Sequence, residues 1–208
     1  MKTMLRASAK LVAMLALAAL SAAGQAPAAD NKSNTPSMVP GGFEFGLTFT
    51  YKVAQVARVS GSRFIMPGGS VDGVYYLSGS AKNLGIAFDI SGESASAIEP
   101  GVNLSQYTIV VGPRYRWPLK MGRHKASVYA QALIGGVHAF SSVFPAPGGS
   151  TFNAGSFALQ TGGGLNLPLT DKIGLRLLEA DYIMTNLPNN ASSYQGDARF
   201  SNGLTFRF

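Results

Sequence analysis

The chain has 208 residues, enough for one domain and short for two, and only 13% are charged where a soluble domain carries roughly a quarter. Its 46% hydrophobic content never forms an internal run of the roughly 18–20 apolar residues that a membrane helix needs. The absence of Cys excludes a disulfide framework and thiolate metal sites.

Lys2, Arg6 and Lys10 flank an apolar core from Leu11 to Leu20, followed by Ser21-Ala22-Ala23-Gly24. That order of basic, apolar and small residues predicts a secretory signal peptide over 1–24, with cleavage near Ala23 or Gly24. It accounts for three of the 17 Lys+Arg and none of the 10 Asp+Glu. An export signal and scattered charge both argue against the nucleic-acid partner that a basic chain would otherwise raise. Residues 25–41, rich in Ala, Pro, Asn and Ser, predict a flexible lead-in.

From residue 42 onward the chain alternates. Phe43, Phe45, Leu47, Phe49, Tyr51 and Val53 share one parity, while Glu44, Gly46, Thr48, Thr50 and Lys52 share the other. Such a period of two is a strand signature that no helix face reproduces. The rhythm returns at Leu84, Ile86, Phe88 and Ile90 opposite Asp89, and at Tyr107 to Trp117 opposite Arg114 and Arg116. It returns again at Phe157, Leu159, Leu165 and Leu167, and at Phe200, Leu204, Phe206 and Phe208 opposite Arg199 and Arg207. Weaker alternation over 70–77, 127–139 and 173–184 brings the total to eight strands. The connections run alternately long (55–69, 92–104, 140–153, 185–195) and short (78–83, 118–125, 168–172), as expected for short periplasmic turns and long outer loops.

The direction of the alternation separates two closed barrels. A soluble ligand-binding barrel turns its apolar parity inward, whereas a membrane barrel turns it to lipid. Here the polar parity carries both signs of charge together with Gly and Ala, and the apolar parity is rich in Phe, Tyr and Leu. The prediction is lipid outside and a charged lumen containing Glu44, Lys52, Asp89, Arg114, Arg116, Arg176, Arg199 and Arg207. Arg176 and Asp181 stand an odd number of residues apart, so a regular strand cannot turn both inward. A β-bulge near Leu178 and Glu179 would bring Arg176, Glu179 and Asp181 into the lumen together. Six basic candidates then face four acidic ones. An eight-stranded barrel is about filled by its own side chains, so a plugged structural barrel is expected before an open pore. Pro113 is awkward in such a strand because it removes a ladder hydrogen bond.

With these features the chain resembles the OmpA-type, eight-stranded outer-membrane β-barrel superfamily, also described as porin-like outer-membrane barrels. The resemblance lies in Gly203-Leu204-Thr205-Phe206-Arg207-Phe208, Gly112-Pro113-Arg114-Tyr115, Gly135-Gly136, and Arg176 with Asp181-Tyr182-Ile183, and covers residues 42–208. It implies an all-β, antiparallel, up-and-down transmembrane barrel in a bacterial outer membrane. It also implies that Gly203, Leu204, Phe206 and Phe208 form the signal read by the outer-membrane assembly machinery. With no peptidoglycan-binding domain read after the last strand, a cell-wall tether is not expected.

Chemistry is sparse. His124 lies in a basic turn with Lys120, Arg123 and Lys125, and His138 precedes Ser141 and Ser142 with no carboxylate close behind. Nucleophile, base and orienting acid would all have to converge for catalysis. Gly162-Gly163-Gly164 lacks the Lys and Ser/Thr of a phosphate loop; barrel bends and room for luminal arginines explain it better. The expectation is a non-enzymatic membrane protein without cofactor or metal, partnered by outer-membrane lipid and by a surface ligand held in its long loops. A small or gated channel is the alternative, and a lipid-modifying enzyme is the third reading.

Overall fold

The computed structural model describes residues 42–55, 63–99, 102–121, 124–188 and 194–208. The signal peptide and lead-in expected over 1–24 and 25–41 lie outside the described residues. Eight strands follow one another: β1 Phe43–Gln55, β2 Arg63–Tyr76, β3 Leu84–Glu99, β4 Val102–Met121, β5 His124–Ala146, β6 Gly149–Pro168, β7 Ile173–Thr185 and β8 Gln195–Arg207. Each pairs antiparallel with the next, and β1 pairs with β8 from Glu44↔Arg207 to Val53↔Ala198, closing an up-and-down barrel. Closure removes both sheet edges and satisfies the backbone ladder without outside partners.

The alternation sets the two faces. Along β1, Glu44, Thr48, Thr50 and Lys52 are buried, while Phe49 is 71% exposed and Leu47 and Tyr51 are exposed beside it. Across the barrel Ile109 and Ile86 repeat the pattern, 61% and 60% exposed, with Asp89, Thr108 and Arg114 buried. Rings ride the outward face toward the end that holds the chain's C-terminus, where Tyr115 and Trp117 pack with centroids 4.7 Å apart. The apolar belt therefore faces out and the charges face in.

Four expectations about the connections are corrected: 63–69 belong to β2, 118–121 and 124–125 belong to β4 and β5, and two long loops disappear. Residues 92–104 and 140–153 are not loops: β3 and β4 extend to leave only 100–101 between them, and β5 and β6 leave only 147–148. Beyond Gly92 and Tyr107 the outward positions become Ser94 and Ser105, whose hydroxyls lie 2.9 Å apart. A hairpin with Ser94 and Ser105 outside and Ala95 and Leu104 inside still forms its ladder but no longer turns its apolar parity outward, so the sequence pattern ended before the strand did. The β5–β6 turn uses Gly148 at φ +84°, a left-handed conformation that glycine adopts without a Cβ clash. Below that turn the register shifts between Phe140 and Phe144, with Ser141 at φ 62°.

Pro113 also finds its place. The β3–β4 ladder is continuous through Ile86↔Pro113, but the β4–β5 ladder lapses between Val111↔Ile134 and Arg114↔Gln131. The register is the same on both sides of that lapse, so the cost of the missing N–H falls on the β4–β5 ladder while the β3–β4 ladder stays continuous.

Candidate functional site

The barrel interior is the chemically dense part of the molecule, and it is layered. At the end holding the C-terminus, the Arg207 Nε donates to Glu44 Oε2 at 3.0 Å and Asn166 Nδ2 donates to Glu44 Oε1 at 3.1 Å. The Arg116 guanidinium stands 3.8 Å from the same carboxylate and 3.8 Å from the centroid of the Tyr76 ring.

One level further in, Arg176 on β7 grips Asp72 on β2 with both nitrogens, Nη1 to Oδ1 at 2.6 Å and Nη2 to Oδ2 at 3.0 Å. Nη1 also donates to Glu179 Oε2 at 2.7 Å, and Nε donates to Asn166 Oδ1 at 3.3 Å. Arg114 Nη1 lies 2.9 Å from Asp72 Oδ2, its Nε donates to Gln131 at 2.9 Å, and its guanidinium covers the Tyr129 ring at 4.4 Å. The Tyr129 hydroxyl donates to Glu179.

The next level is centred on Arg199. It meets Asp89 on β3 with Nη1 at 3.0 Å and Nη2 at 3.2 Å, and Asp181 on β7 with Nη2 at 2.9 Å. Gln131 and Gln160 donate to the Asp181 carboxylate at 3.1 and 3.2 Å. Lys52 donates to Gln106 at 2.7 Å and stands 3.7 Å from Glu93 and 4.0 Å from Asp197. Lys52, Arg114 and Arg199 are each 0% exposed. Charges so deeply withdrawn from water persist only when paired and hydrogen-bonded.

The strand-seven irregularity puts three of these groups in reach of one another. Its register breaks between Arg176 and Glu179 against β8, and against β6 Leu178 pairs with Leu165 while Arg176 pairs with Asn166, passing over Leu177. Leu177 and Leu178 both stay on the outside, and Arg176, Glu179 and Asp181 are buried.

Three luminal acids escaped the sequence reading: Asp72, Glu93 and Asp197 are all buried within the barrel. The expected six-to-four excess of basic groups is therefore corrected to six against seven. Asp72 and Asp197 lie in weakly alternating or Gly-rich stretches, Ser70-Val71-Asp72-Gly73 and Gly196-Asp197, where parity is hard to assign. Glu93 lies beyond the last strongly apolar outward residue of β3. Pairing these seven acids with the basic parity would have required the strand register.

The glycine runs are also reassigned. A Cβ on Gly162 would collide with the Asp181 side chain, and one on Gly164 would meet the Tyr129 hydroxyl at 2.6 Å. They make room for an acid and a tyrosine, not for arginines. At Gly46 a Cβ would strike the Asp72 carboxylate and stand 3.3 Å from Arg176 Nη2.

Above the charged levels the interior turns apolar. Met66, Ala54 and Ala95 pack with Phe64, Ile98 and Leu104. On the opposite wall Val137, Ala139, Phe144, Ala154 and Leu187 form part of a second cluster. His138 is on the outside, its ring 6.2 Å from that of Phe140. Nothing is described of the His124 side chain. Among the described residues no group of three or more His, Asp and Glu is arranged to hold a metal ion. Phe208 is 78% exposed, held by its N–H bonding the Phe43 carbonyl at 3.0 Å.

This geometry has close counterparts. The barrel superposes on Neisserial surface protein A (NspA) with a TM-score of 0.60 at 15% identity, covering 80% of this chain and 97% of that one. The chain has the fold of the eight-stranded outer-membrane barrels. Ail, the attachment invasion locus protein of Yersinia pestis, solved with the heparin analogue sucrose octasulfate, matches at 0.52 and 14% identity, over 82% of this chain and all of Ail. What is shared at such identity is the fold. No protein-family model matches the sequence, and no curated protein does.

Proposed function

We propose that this chain is an integral, non-enzymatic protein of a bacterial outer membrane, exported with loss of its signal peptide. In this reading the lumen is closed by its own charges and the barrel serves as a rigid mount for projecting hairpins. The observation that carries it is Arg199, which reaches from β8 to Asp89 on β3 and to Asp181 on β7, and so ties separate walls together across the interior. The apolar layer above adds a second closure. The outward apolar belt supports lipid as its surroundings, and closure of the ladder meets the demand that hydrocarbon makes on every backbone group.

The β5 strand, 23 residues long, spans about 58 Å along the barrel axis at ~3.3 Å per residue and a tilt of ~40°, against an apolar band of about 25 Å. The β5–β6 hairpin therefore stands well clear of the bilayer. It carries exposed Val143 and Phe152 and no charged residue from Ala139 to Gly155. Loops and hairpins on a rigid scaffold are where recognition concentrates. Ail was solved with a polyanionic sugar analogue, but this hairpin offers no cation to such a ligand; an apolar partner surface suits it better.

The alternative, a narrow or gated channel, draws on one feature. Between the ionic levels the inner wall of β8, β1, β2 and β3 is lined by small buried hydroxyls, Ser201, Thr205, Thr48, Thr50, Ser70 and Ser91, in place of long side chains. Planar-bilayer recording of the refolded protein separates the two. A closed barrel gives no unitary conductance steps, and regular steps that scale with protein inserted would replace this reading with the channel. Protease added to intact cells should cut within 141–152 and spare the rest; full resistance there would count against the projecting hairpin.

A further inference from the structure

The inference drawn here rests on the membrane-barrel reading above and concerns the outward face. Among the described residues, the outward positions of the apolar belt are almost entirely apolar, aromatic or glycine. Thr161 is half-buried, and a threonine hydroxyl can bond back to its own strand. Asn202 is different. Among the described residues it is the only carboxamide on the belt, Asn153 lying above it in the β5–β6 hairpin; it is exposed, and no hydrogen bond to its side chain occurs among those residues.

Its depth makes this costly. Asn202 pairs in register with Phe49, which lies within the outward apolar run from Phe43 to Val53 on β1. It is four residues from Phe206 along β8, about 10 Å along the axis at ~3.3 Å per residue and a ~40° tilt. That places it near the middle of an apolar band about 25 Å tall. Neither water nor the polar parts of lipids reach that level, so the amide has to find its donor and acceptor on another protein surface.

The surroundings favour contact. On its β7 side Asn202 stands opposite the bulge, where Arg176 pairs with Gly203 and Glu179 with Ser201, leaving Leu177 and Leu178 both outward beside it. On its β1 side is Phe49, and along its own strand are Phe200 and Leu204. A single short polar side chain thus lies within a ring of exposed large apolar ones.

We infer that Asn202 is the centre of a two-fold contact between two copies of this chain within the bilayer. A carboxamide both donates and accepts, so it is complementary to itself: across a two-fold axis, two Asn202 side chains satisfy each other with a reciprocal pair of hydrogen bonds. An axis along the membrane normal keeps both copies upright. It also brings β1 of each copy against β7 of the other, so that Phe49 meets the bulge leucines of its mate. Polar side chains of this kind act as the adhesive between membrane segments, where apolar burial against lipid gives no net drive.

The test uses the full-length precursor expressed in cells, and the absence of Cys makes it clean. In isolated outer membranes, Asn202→Cys on the axis should give a disulfide-linked dimer under mild oxidation, while Ile109→Cys on the far wall should stay monomeric. With the cysteine-free protein labelled at its N-terminus and reconstituted at low protein-to-lipid ratio, energy transfer should report dimers. Asn202→Leu should weaken them about tenfold, and Asn202→Gln should keep most of the association. Carbonate extraction and heat-modifiable mobility are read on every sample. A wild-type chain released by carbonate overturns the membrane reading together with this one. A chain that remains as a folded barrel in the membrane overturns the dimer alone if Asn202→Leu associates as well as wild type, if both cysteine variants cross-link equally, or if Asn202→Cys links only to a different protein.

Discussion

Arg176 and Asp72 form a two-pronged ion pair between β7 and β2, strands that are not neighbours in the wall, with nitrogen–oxygen distances of 2.6 and 3.0 Å. The pair is a strut across the barrel. Removing one member leaves the other dry and without its two-pronged partner, Asp72 keeping only Arg114 and Arg176 keeping only Glu179 as counter-charge, which costs up to about 3–5 kcal/mol. Arg176→Ala should therefore lower the midpoint of urea unfolding of the refolded barrel markedly. Arg63→Ala, exposed at the far end of β2, should shift stability by no more than about 0.5 kcal/mol. Comparable losses from the two would remove the strut from the account.

The same pair offers a sharper measurement. Replacing both partners by apolar residues, Arg176→Met with Asp72→Leu, leaves no orphaned charge at that pair. The double variant should lose less stability than the two single variants summed, with a coupling between about 0.5 and 3 kcal/mol. Strict additivity would mean that Arg114 and Glu179 rescue each partner alone.

The bulge in β7 is a matter of register, so it can be tested by length. Deleting Leu177 removes the extra residue between Arg176 and Glu179. The deletion leaves a continuous ladder in which Arg176, Glu179 and Asp181 stand an even number of positions apart and all still face inward, so the heat-modifiable folded form should be kept. Deleting Leu177 and Leu178 together makes the spacing odd and forces either Arg176 or the pair Glu179 and Asp181 to the outside, because one residue of slip flips a strand's faces; that variant should fail to fold. Normal folding of the double deletion would show that the acids on β7 are dispensable to closure.

Phe208 separates assembly from stability. Its ring is 78% exposed and its backbone N–H is its tie to β1, so little folding energy depends on the side chain. Deleting it should leave export intact and change urea unfolding of the refolded barrel by less than about 1 kcal/mol. The amount assembled in the outer membrane should nevertheless fall severalfold. Equal assembly with and without Phe208 would dismiss the terminal residue as a recognition signal.

Trimming the β5–β6 hairpin tests whether it belongs to the folding unit. Joining Phe140 to Asn153, already register partners, through a two-residue turn removes Val143 and Phe152 together with the shifted register. Phe144, packed at the edge of the inner apolar cluster, is lost as well. The barrel should still fold and show heat-modified mobility, with a smaller loss of stability than Arg176→Ala. A larger loss would make the hairpin part of the core.

Alternation by itself determined the strand number, the closed antiparallel order and the outward apolar face. Each of these depends on a period of two that survives in Phe43 to Val53 or Tyr107 to Trp117 without any knowledge of neighbours. The odd spacing of Arg176 and Asp181 even made the need for a bulge legible, since hydrocarbon does not tolerate a carboxylate. What the tertiary structure decided was register. Asp72, Glu93 and Asp197 become the counter-charges of Arg114, Arg199 and Lys52 only when β2, β3 and β8 slide to their final pairing. The outer hairpins could not be read either, because a strand that has left the hydrocarbon needs no outward apolar parity, and there Ala95, Leu104 and Phe144 turn inward instead. Gly162 and Gly164 appeared as bends until Asp181 and Tyr129 were seen to fill the space a Cβ would take. Asn202 is the last case: its depth and its lack of a partner follow from standing beside Phe49 and the bulge. Parity is a local property of one strand, whereas pairing across a lumen or a bilayer is set by how strands are staggered, and nothing in a single strand encodes its stagger.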